Sequence, residues 1–309
     1  MRKSCLDMVY ELAKTDSRVV FIGSDLGPET LKQFKKDFPE RFFMEGISEA
    51  NIVGLASGLA MEGKIPYINT ITTFLMRRAC EQVILDMCLH NVNVRLLGSG
   101  GGLVYAPLGP THLAIEDMAI ARAIPNLTIL APCDAEEMKR LMAQTVDYQG
   151  PIYVRIAKGG DPVVSSPQLD CKIGQPVLVR PAGEALVITT GITLKLGLDA
   201  ADQLATGSGM KVGVLHVHTL KPLDTKLIQE VMAPVRTIIT IEEHTLIGGL
   251  GSAIAEIIAE AGYNPAKKFK RIGIPDVFPK EYGSQASQMK SFSITTDNLV
   301  SILNEKVGA

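Results

Sequence analysis

Short apolar, β-branched runs alternate along the chain with stretches whose apolar residues recur at a period near 3.6. The runs predict strands at Val19–Gly23, Pro66–Thr70, Asn93–Gly98, Leu127–Ala131 and Ile152–Ile156. Between them, Cys5–Ala13, Glu49–Met61, Leu75–His90, Ile115–Ala123 and Ala135–Val146 carry the helical period. Such alternation reads as a mostly parallel sheet with helices on both faces. The pattern lapses over 158–183, KGGDPVVSSPQLDCKIGQPVLVRPAG, where four prolines and four glycines leave no helical period. It resumes with strands at Ala185–Thr190, Lys211–Val217, Thr237–Ile241 and Arg271–Ile274, and helices at Thr193–Leu204, Asp224–Met232, Ser252–Ala261 and Asp297–Asn304. The expected architecture is two doubly wound, mostly parallel-sheet α/β domains, 1–165 and 184–309, joined by a linker over 166–183.

Charge removes two classes of partner. The 309 residues carry 31 basic against 33 acidic side chains, a net charge of −2, which excludes an electrostatic footprint for nucleic acid. No apolar run approaches the roughly 18 residues of a membrane span. The N-terminus, MRKSCLDMVYELAKTD, turns polar within one helical turn and lacks a signal core, so the expected location is cytoplasmic. Five scattered cysteines with no C-x-x-C argue against a disulfide scaffold or a zinc site and for a reducing compartment. His216-Val217-His218 reads as two imidazoles on opposite faces of a strand, wrong for one metal, so no metal ligands are expected.

Several common chemical signatures are missing. There is no P-loop and no G-x-S-x-G elbow. Gly98-Ser99-Gly100-Gly101-Gly102 follows a strand but lacks the third glycine of a dinucleotide fingerprint, and reads as a flexible substrate-side loop. Ile247-Gly248-Gly249-Leu250-Gly251 precedes a helix and has the form of an anion cradle, although close packing at an interface is the simpler account. The informative stretch is RFFMEGISEANIVG over 41–54. Ser48 reads as an N-cap and Glu49 as a first-turn carboxylate ahead of the apolar helix NIVGLASGLAM. On spacing alone, compensation of the helix dipole suffices to explain Glu49.

RFFMEGISEANIVGLASGLAMEGKIPYINTITTF and GPTHLAIEDMAIARAIPNLTILAPCDAEE resemble the pyrimidine-binding domain of transketolases. LHVHTLKPLD and TIEEHTLIGGLGSAIAE resemble the transketolase C-terminal domain. The likeness spans nearly the whole chain in the right order. It extends to 1-deoxy-D-xylulose-5-phosphate synthase and, more remotely, to the β subunits of 2-oxo-acid dehydrogenases. Transketolases are about twice as long, and their N-terminal half holds the diphosphate and Mg²⁺ of thiamine diphosphate through a G-D-G…N motif. No G-D-G occurs here; Gly159-Gly160-Asp161 is out of order. The resemblance therefore implies the C-terminal half of a split transketolase, which binds the aminopyrimidine of thiamine diphosphate. A separate N-terminal subunit would supply the diphosphate and Mg²⁺ site.

The resemblance also gives residues roles. Glu49 would exchange a proton with N1′ of the aminopyrimidine, shifting it to the imino tautomer that activates the thiazolium. Phe74 would stack on that ring, with Ile47 and Arg77 beside the cofactor; ordinary core packing of Phe74 is the alternative. His112, in GPTH, would bond a substrate oxygen near the reacting carbon. Arg155 would grip a sugar phosphate, with Arg2 as a second phosphate-binding arginine, and Asp25 of the SDLGP loop would bind substrate. The substrate side departs from the family. Leu108 replaces an aspartate that reads a donor hydroxyl, Gly100 stands where a second substrate histidine is usual, and Glu29 replaces a phosphate-contacting serine. An apolar, roomy pocket wall is expected, and with it a donor other than the ordinary pentose phosphates.

The implied function is transfer of a two-carbon ketol unit from a ketose phosphate to an aldose. A pyruvate- or 2-oxo-acid-using thiamine enzyme is the nearest alternative, and a non-catalytic regulatory subunit is the alternative from another class. The implied assembly is a homodimer, α2β2 with the partner chain.

Overall fold

The computed structural model describes residues 1–24 and 31–308, so Asp25 and Glu29 lie outside the described residues. Twelve strands form among them: β1 Val19–Gly23, β2 Phe42–Met44, β3 Ile65–Ile71, β4 Arg95–Ser99, β5 Thr128–Leu130, β6 Ile152–Ile156, β7 Val177–Arg180, β8 Ala185–Thr189, β9 Val212–His216, β10 Thr219–Lys221, β11 Thr237–Thr245 and β12 Lys268–Ile274. They make a seven-stranded sheet in the order β10-β5-β6-β4-β3-β1-β2 and a five-stranded sheet in the order β12-β11-β8-β9-β7. All pairs are parallel except β10 on β5 and β7 on β9. The strands β1, β4, β6 and β8 are buried along their whole length, as a sheet covered on both faces requires.

Each face of the first sheet has its own core. Helices Glu49–Met61 and Asp117–Ala123 bury Ile52, Val53 and Met118 on one side. Helices Arg2–Thr15 and Ala135–Gln144 bury Leu6, Val9 and Leu141 on the other. The first core continues without a break to Leu186, Ile188 and Leu215 of the second sheet. Two elements depart from the sequence pattern. Val177–Arg180, within the segment read as linker, pairs with β9 as an edge strand. The helix expected over Leu75–His90 is broken into Thr72–Arg78, Cys80–Gln82 and a π-helical stretch over Val83–Leu89. Periodicity does not show the break, because the buried Leu75, Met76, Ala79, Val83, Met87 and Cys88 keep a spacing of three to four residues across it.

A buried polar cluster joins the two halves. Arg155, on β6, donates to Asp117 Oδ2 at 2.8 Å and to the Glu243 carbonyl at 2.9 Å. The Glu243 carboxylate on β11 accepts the Leu103 N–H at 2.8 Å and an amide N–H of Gln285, also at 2.8 Å. Burial of Glu243 outweighs the pull of Arg155 and pushes its pKa up from 4.5 to about 7. The folded chain thus keeps this proton to higher pH than the unfolded chain. The contribution to stability is complete below about pH 4.5 and is lost as pH rises through about 7, by up to about 3 kcal/mol. Glu243→Gln, which retains an acceptor oxygen, should flatten this part of the profile. Urea unfolding of both proteins from pH 5 to 8 measures it; identical slopes would show that Glu243 ionises normally.

Candidate active site

The described candidate residues lie at or beyond the carboxyl ends of the parallel strands of the first sheet, the usual ligand edge of such folds. After β2 the chain turns at Gly46 (φ 70°) and enters the helix Glu49–Met61. Ser48 does not cap this helix through its side chain. Its hydroxyl donates back to the Glu45 carbonyl at 3.0 Å. Glu49 is 1% exposed, and its Oε2 accepts from Arg78 Nη1 at 2.7 Å. The guanidinium of Arg78 also lies over the Phe74 ring, 4.8 Å from its centroid. On the ring's other contact, His112 meets Phe74 edge-on at 5.1 Å. Glu49, Arg78, Phe74 and His112 therefore form one continuous cluster.

Arg78, not Arg77, is the cation at the carboxylate. Arg77 turns to Glu116 and to the Leu113 carbonyl, where it fixes the loop that carries His112. Thr73 Oγ1 adds a bond to the His112 carbonyl at 3.0 Å. The side chains of neighbouring helical residues point about 100° apart, so a pair of arginines in sequence does not say which one faces the site. Ile47 is exposed on the turn before Glu49, and Leu108 is exposed on a short 3₁₀ turn, Ala106–Leu108.

At three places the structure differs from the arrangement expected. Arg155 is buried and bound to Asp117 and to the carbonyls of Ala114 and Glu243. Burial weakens its charge, yet Asp117 and Glu243 outweigh that and hold it firmly protonated. It is an internal ion pair, and a phosphate would have to displace Asp117 to reach it. The loop at Gly100–Gly102 is not roomy. A Cβ at Gly100 (φ 83°) would lie 2.0 Å from the Tyr105 ring; at Gly101 and Gly102 it would lie 2.5 Å from the side chains of Arg155 and Glu243. These glycines allow close packing. His216 and His218 do not face opposite ways: their rings are 6.1 Å apart, because residues i and i+2 share a strand face.

Arg2 begins the helix Arg2–Thr15, and its Nε is buried with no partner among the described residues. The glycine stretch at 247–251 is already occupied: the Glu242 carboxyl oxygens accept N–H bonds from Leu250 and Gly251, each at 2.7 Å. A structural role leaves that cradle no room for a ligand. No described helix is long and apolar enough to cross a membrane.

A buried carboxylate beside an aromatic face suits the polar edge and flat face of a pyrimidine ring, and the comparisons with known proteins agree with that class of protein. Residues 1–160 match the family model for the transketolase pyrimidine binding domain, and residues 174–299 match that for the transketolase C-terminal domain. The chain is 33% identical to a 6-deoxy-6-sulfo-D-fructose transketolase subunit from Clostridium sp. (strain MSTE9), over 99% of this chain and 94% of that protein. It is 35% identical to an apulose-4-phosphate transketolase subunit of Actinobacillus succinogenes, over 87% and 86% of the two chains. A solved structure described as a split gene transketolase, inactive beta4 tetramer, superposes with a TM-score of 0.90 at 30% identity, over 99% of this chain and 98% of that one. The chain belongs to the transketolase family, as a subunit of the split, thiamine-dependent type.

The close approach at Gly100 is directly testable. Gly100→Ala adds a Cβ where the Tyr105 ring stands and forces a side-chain-bearing residue to a positive φ. It should destabilise the chain by about 1–3 kcal/mol, read as a lower urea midpoint. An unchanged midpoint would mean that Tyr105 leaves this place freely and that the wall is open.

Proposed function

We propose that this chain receives the aminopyrimidine half of thiamine diphosphate and the ketose substrate, while a separate N-terminal subunit holds the diphosphate and Mg²⁺. One observation carries the reading. Arg78 presents a flat, N–H-bearing group that lies over Phe74 and donates to the buried Glu49 carboxylate. An aminopyrimidine makes the same two contacts, a stacked face and a hydrogen bond at N1′. Arg78 is 51% exposed and can swing into water when the ring arrives.

When bound, thiamine diphosphate supplies the carbon nucleophile and the electron sink. The residues of this chain position and protonate. Glu49 shares a proton with N1′, and its burial keeps water from competing for it. Phe74 orients the ring. Nδ1 of His112 is engaged by Thr111 Oγ1 at 2.9 Å, which leaves Nε2 to meet a substrate oxygen. Arg77 positions that histidine through its loop. Ile47 borders the entrance beside Glu49, Arg2 serves the anionic end of the substrate, and Asp25 binds substrate. Arg155 has no part in the reading.

The reaction is transfer of a two-carbon ketol unit between a ketose and an aldose. The exposed apolar Leu108 gives a donor hydroxyl no partner. Relatives named for a sulfo-fructose and for apulose 4-phosphate support a donor outside the common pentose phosphates. Chain–chain contact completes the site. An open groove of about 530 Å³ lined by Ile115, Ala119, Ile247, Val277 and Phe278, with Arg77 at its edge, leaves apolar side chains uncovered, in keeping with a dimer that pairs with two N-terminal subunits.

Reconstitution tests this. The chain alone should bind thiamine diphosphate weakly, and micromolar binding by calorimetry would count against a divided site. With the N-terminal subunit present, Glu49→Gln should keep most of the cofactor affinity but lose about 10²-fold or more in kcat, because an amide passes no proton to N1′. Near-normal turnover would reduce Glu49 to a helix-start carboxylate.

A further inference from the structure

Five buried side chains with no part in the cofactor reading converge where the linker passes between the two sheets. Cys133 and Glu137 flank the start of the helix Ala135–Gln144, Cys171 comes from the linker, His216 ends β9 and His218 follows it. Their ligand atoms make two triads that share Glu137, one with Cys133 and His216 and the other with Cys171 and His218. Within each triad the atoms lie within 4.8 Å of one another.

A closed polar network would explain part of this cluster. Glu137 Oε2 accepts the Cys133 N–H at 2.7 Å and meets His216 Nε2 at 3.1 Å. His218 does not fit such a network. Its Nδ1 meets Thr219 Oγ1 at 2.9 Å, and its fully buried Nε2 has no hydrogen-bond partner among the described residues. A buried polar atom left unpaired in this way is costly unless something fills the place.

The surroundings fit one kind of occupant. Both histidines direct Nε2 toward the cluster and rest Nδ1 against a threonine hydroxyl, Thr189 for His216 and Thr219 for His218. Outer hydrogen bonds of this kind orient metal-binding imidazoles. A cavity of about 10 Å³, just enough to seat one water, touches Glu137, Cys171 and His216 and also Arg140, and stops short of His218. We infer that Glu137, Cys171 and His218 form a binding site for a soft divalent cation of the zinc class, with Cys133 and His216 meeting Glu137 in the neighbouring triad. The Cys171 sulfur and the His218 imidazole select such a metal over Mg²⁺ or Ca²⁺, which take oxygen ligands. Zinc bonds of about 2.0–2.3 Å place tetrahedral ligands roughly 3.3–3.8 Å apart, so the side chains close by about 1 Å. The metal–sulfur bond forms as a thiol proton leaves for solvent. The metal would tie the linker to both domains. This site shares no residue with the proposed cofactor site, and the two stand or fall separately.

The test uses the full chain, reduced and stripped with a chelator, then titrated with Co²⁺ and back-titrated with Zn²⁺. The expected result is saturable Co²⁺ binding with tetrahedral visible bands and a thiolate-to-cobalt charge-transfer band, both removed by Zn²⁺. Zn²⁺ should also raise the unfolding temperature. Cys171→Ser and His218→Ala should each weaken Zn²⁺ binding by about 100-fold or more, while Cys80→Ser leaves it unchanged. Where a variant fails to fold, the charge-transfer band of the unaltered chain decides. Absence of that band at saturating Co²⁺, or Zn²⁺ affinity unchanged in folded Cys171→Ser and His218→Ala, would overturn the proposal.

Discussion

The buried ion pair between Arg155 and Asp117 is the constraint around which the two halves are arranged. Arg155 is 7% exposed and Asp117 2%, and the guanidinium also bonds carbonyls from the first half and from β11. A charge pair this deep adds little net stability, but removing one member leaves the other unpaired at a cost of about 3–5 kcal/mol. Its value is therefore positional. It fixes the distance from β6 to β11, and the loop at Gly100–Gly102 threads the remaining gap. Gly101 and Gly102 carry no side chain because Arg155 and Glu243 occupy that space. The same contacts draw the 103–117 segment, and with it His112, toward the end of β3.

That arrangement explains why the candidate site is preformed on one side and open on the other. Phe74 follows β3 directly, and Thr73 and Arg77 bond the backbone of the 112–113 loop. Phe74 and His112 are thereby held in contact by the backbone, whatever the surface residues do. Ile47 and Leu108 have no such anchors and stand exposed. The rigid part of the site is the part that orients a ring; the unanchored part faces where a substrate and another chain would come.

The alternating pattern made the two sheets legible, because strands buried on both faces read as unbroken apolar runs. Glu49, Phe74 and His112 stood out through the family likeness, not through spacing. What stayed hidden was pairing at a distance. Arg155 looks like a free strand-end cation until Asp117, 38 residues earlier, is folded against it. Gly100 looks like empty space until Tyr105 fills it. Arg77 and Arg78 are indistinguishable until the helix rotates one toward Glu49. The cluster of Cys133, Glu137, Cys171, His216 and His218 draws on separate segments, and its one local signal, His216 and His218 two apart on a strand, is lost when the two are read as facing opposite ways.

On the proposed reading, Arg78 solves a problem particular to a divided site. A chain that carries half of a cofactor site must fold and persist before the other half arrives, with a carboxylate buried at 1% exposure. A buried charge without a counter-charge is strongly destabilising, so the site needs a cation while it waits. A second buried arginine would meet that need and then resist displacement, as Arg155 does. Arg78 reaches Glu49 from the surface, with half its side chain in water. Its guanidinium therefore loses little hydration in the pair, and can return to solvent when a ring takes over the carboxylate and the Phe74 face. The difference in burial between the two arginines separates a permanent strut from a replaceable counter-charge.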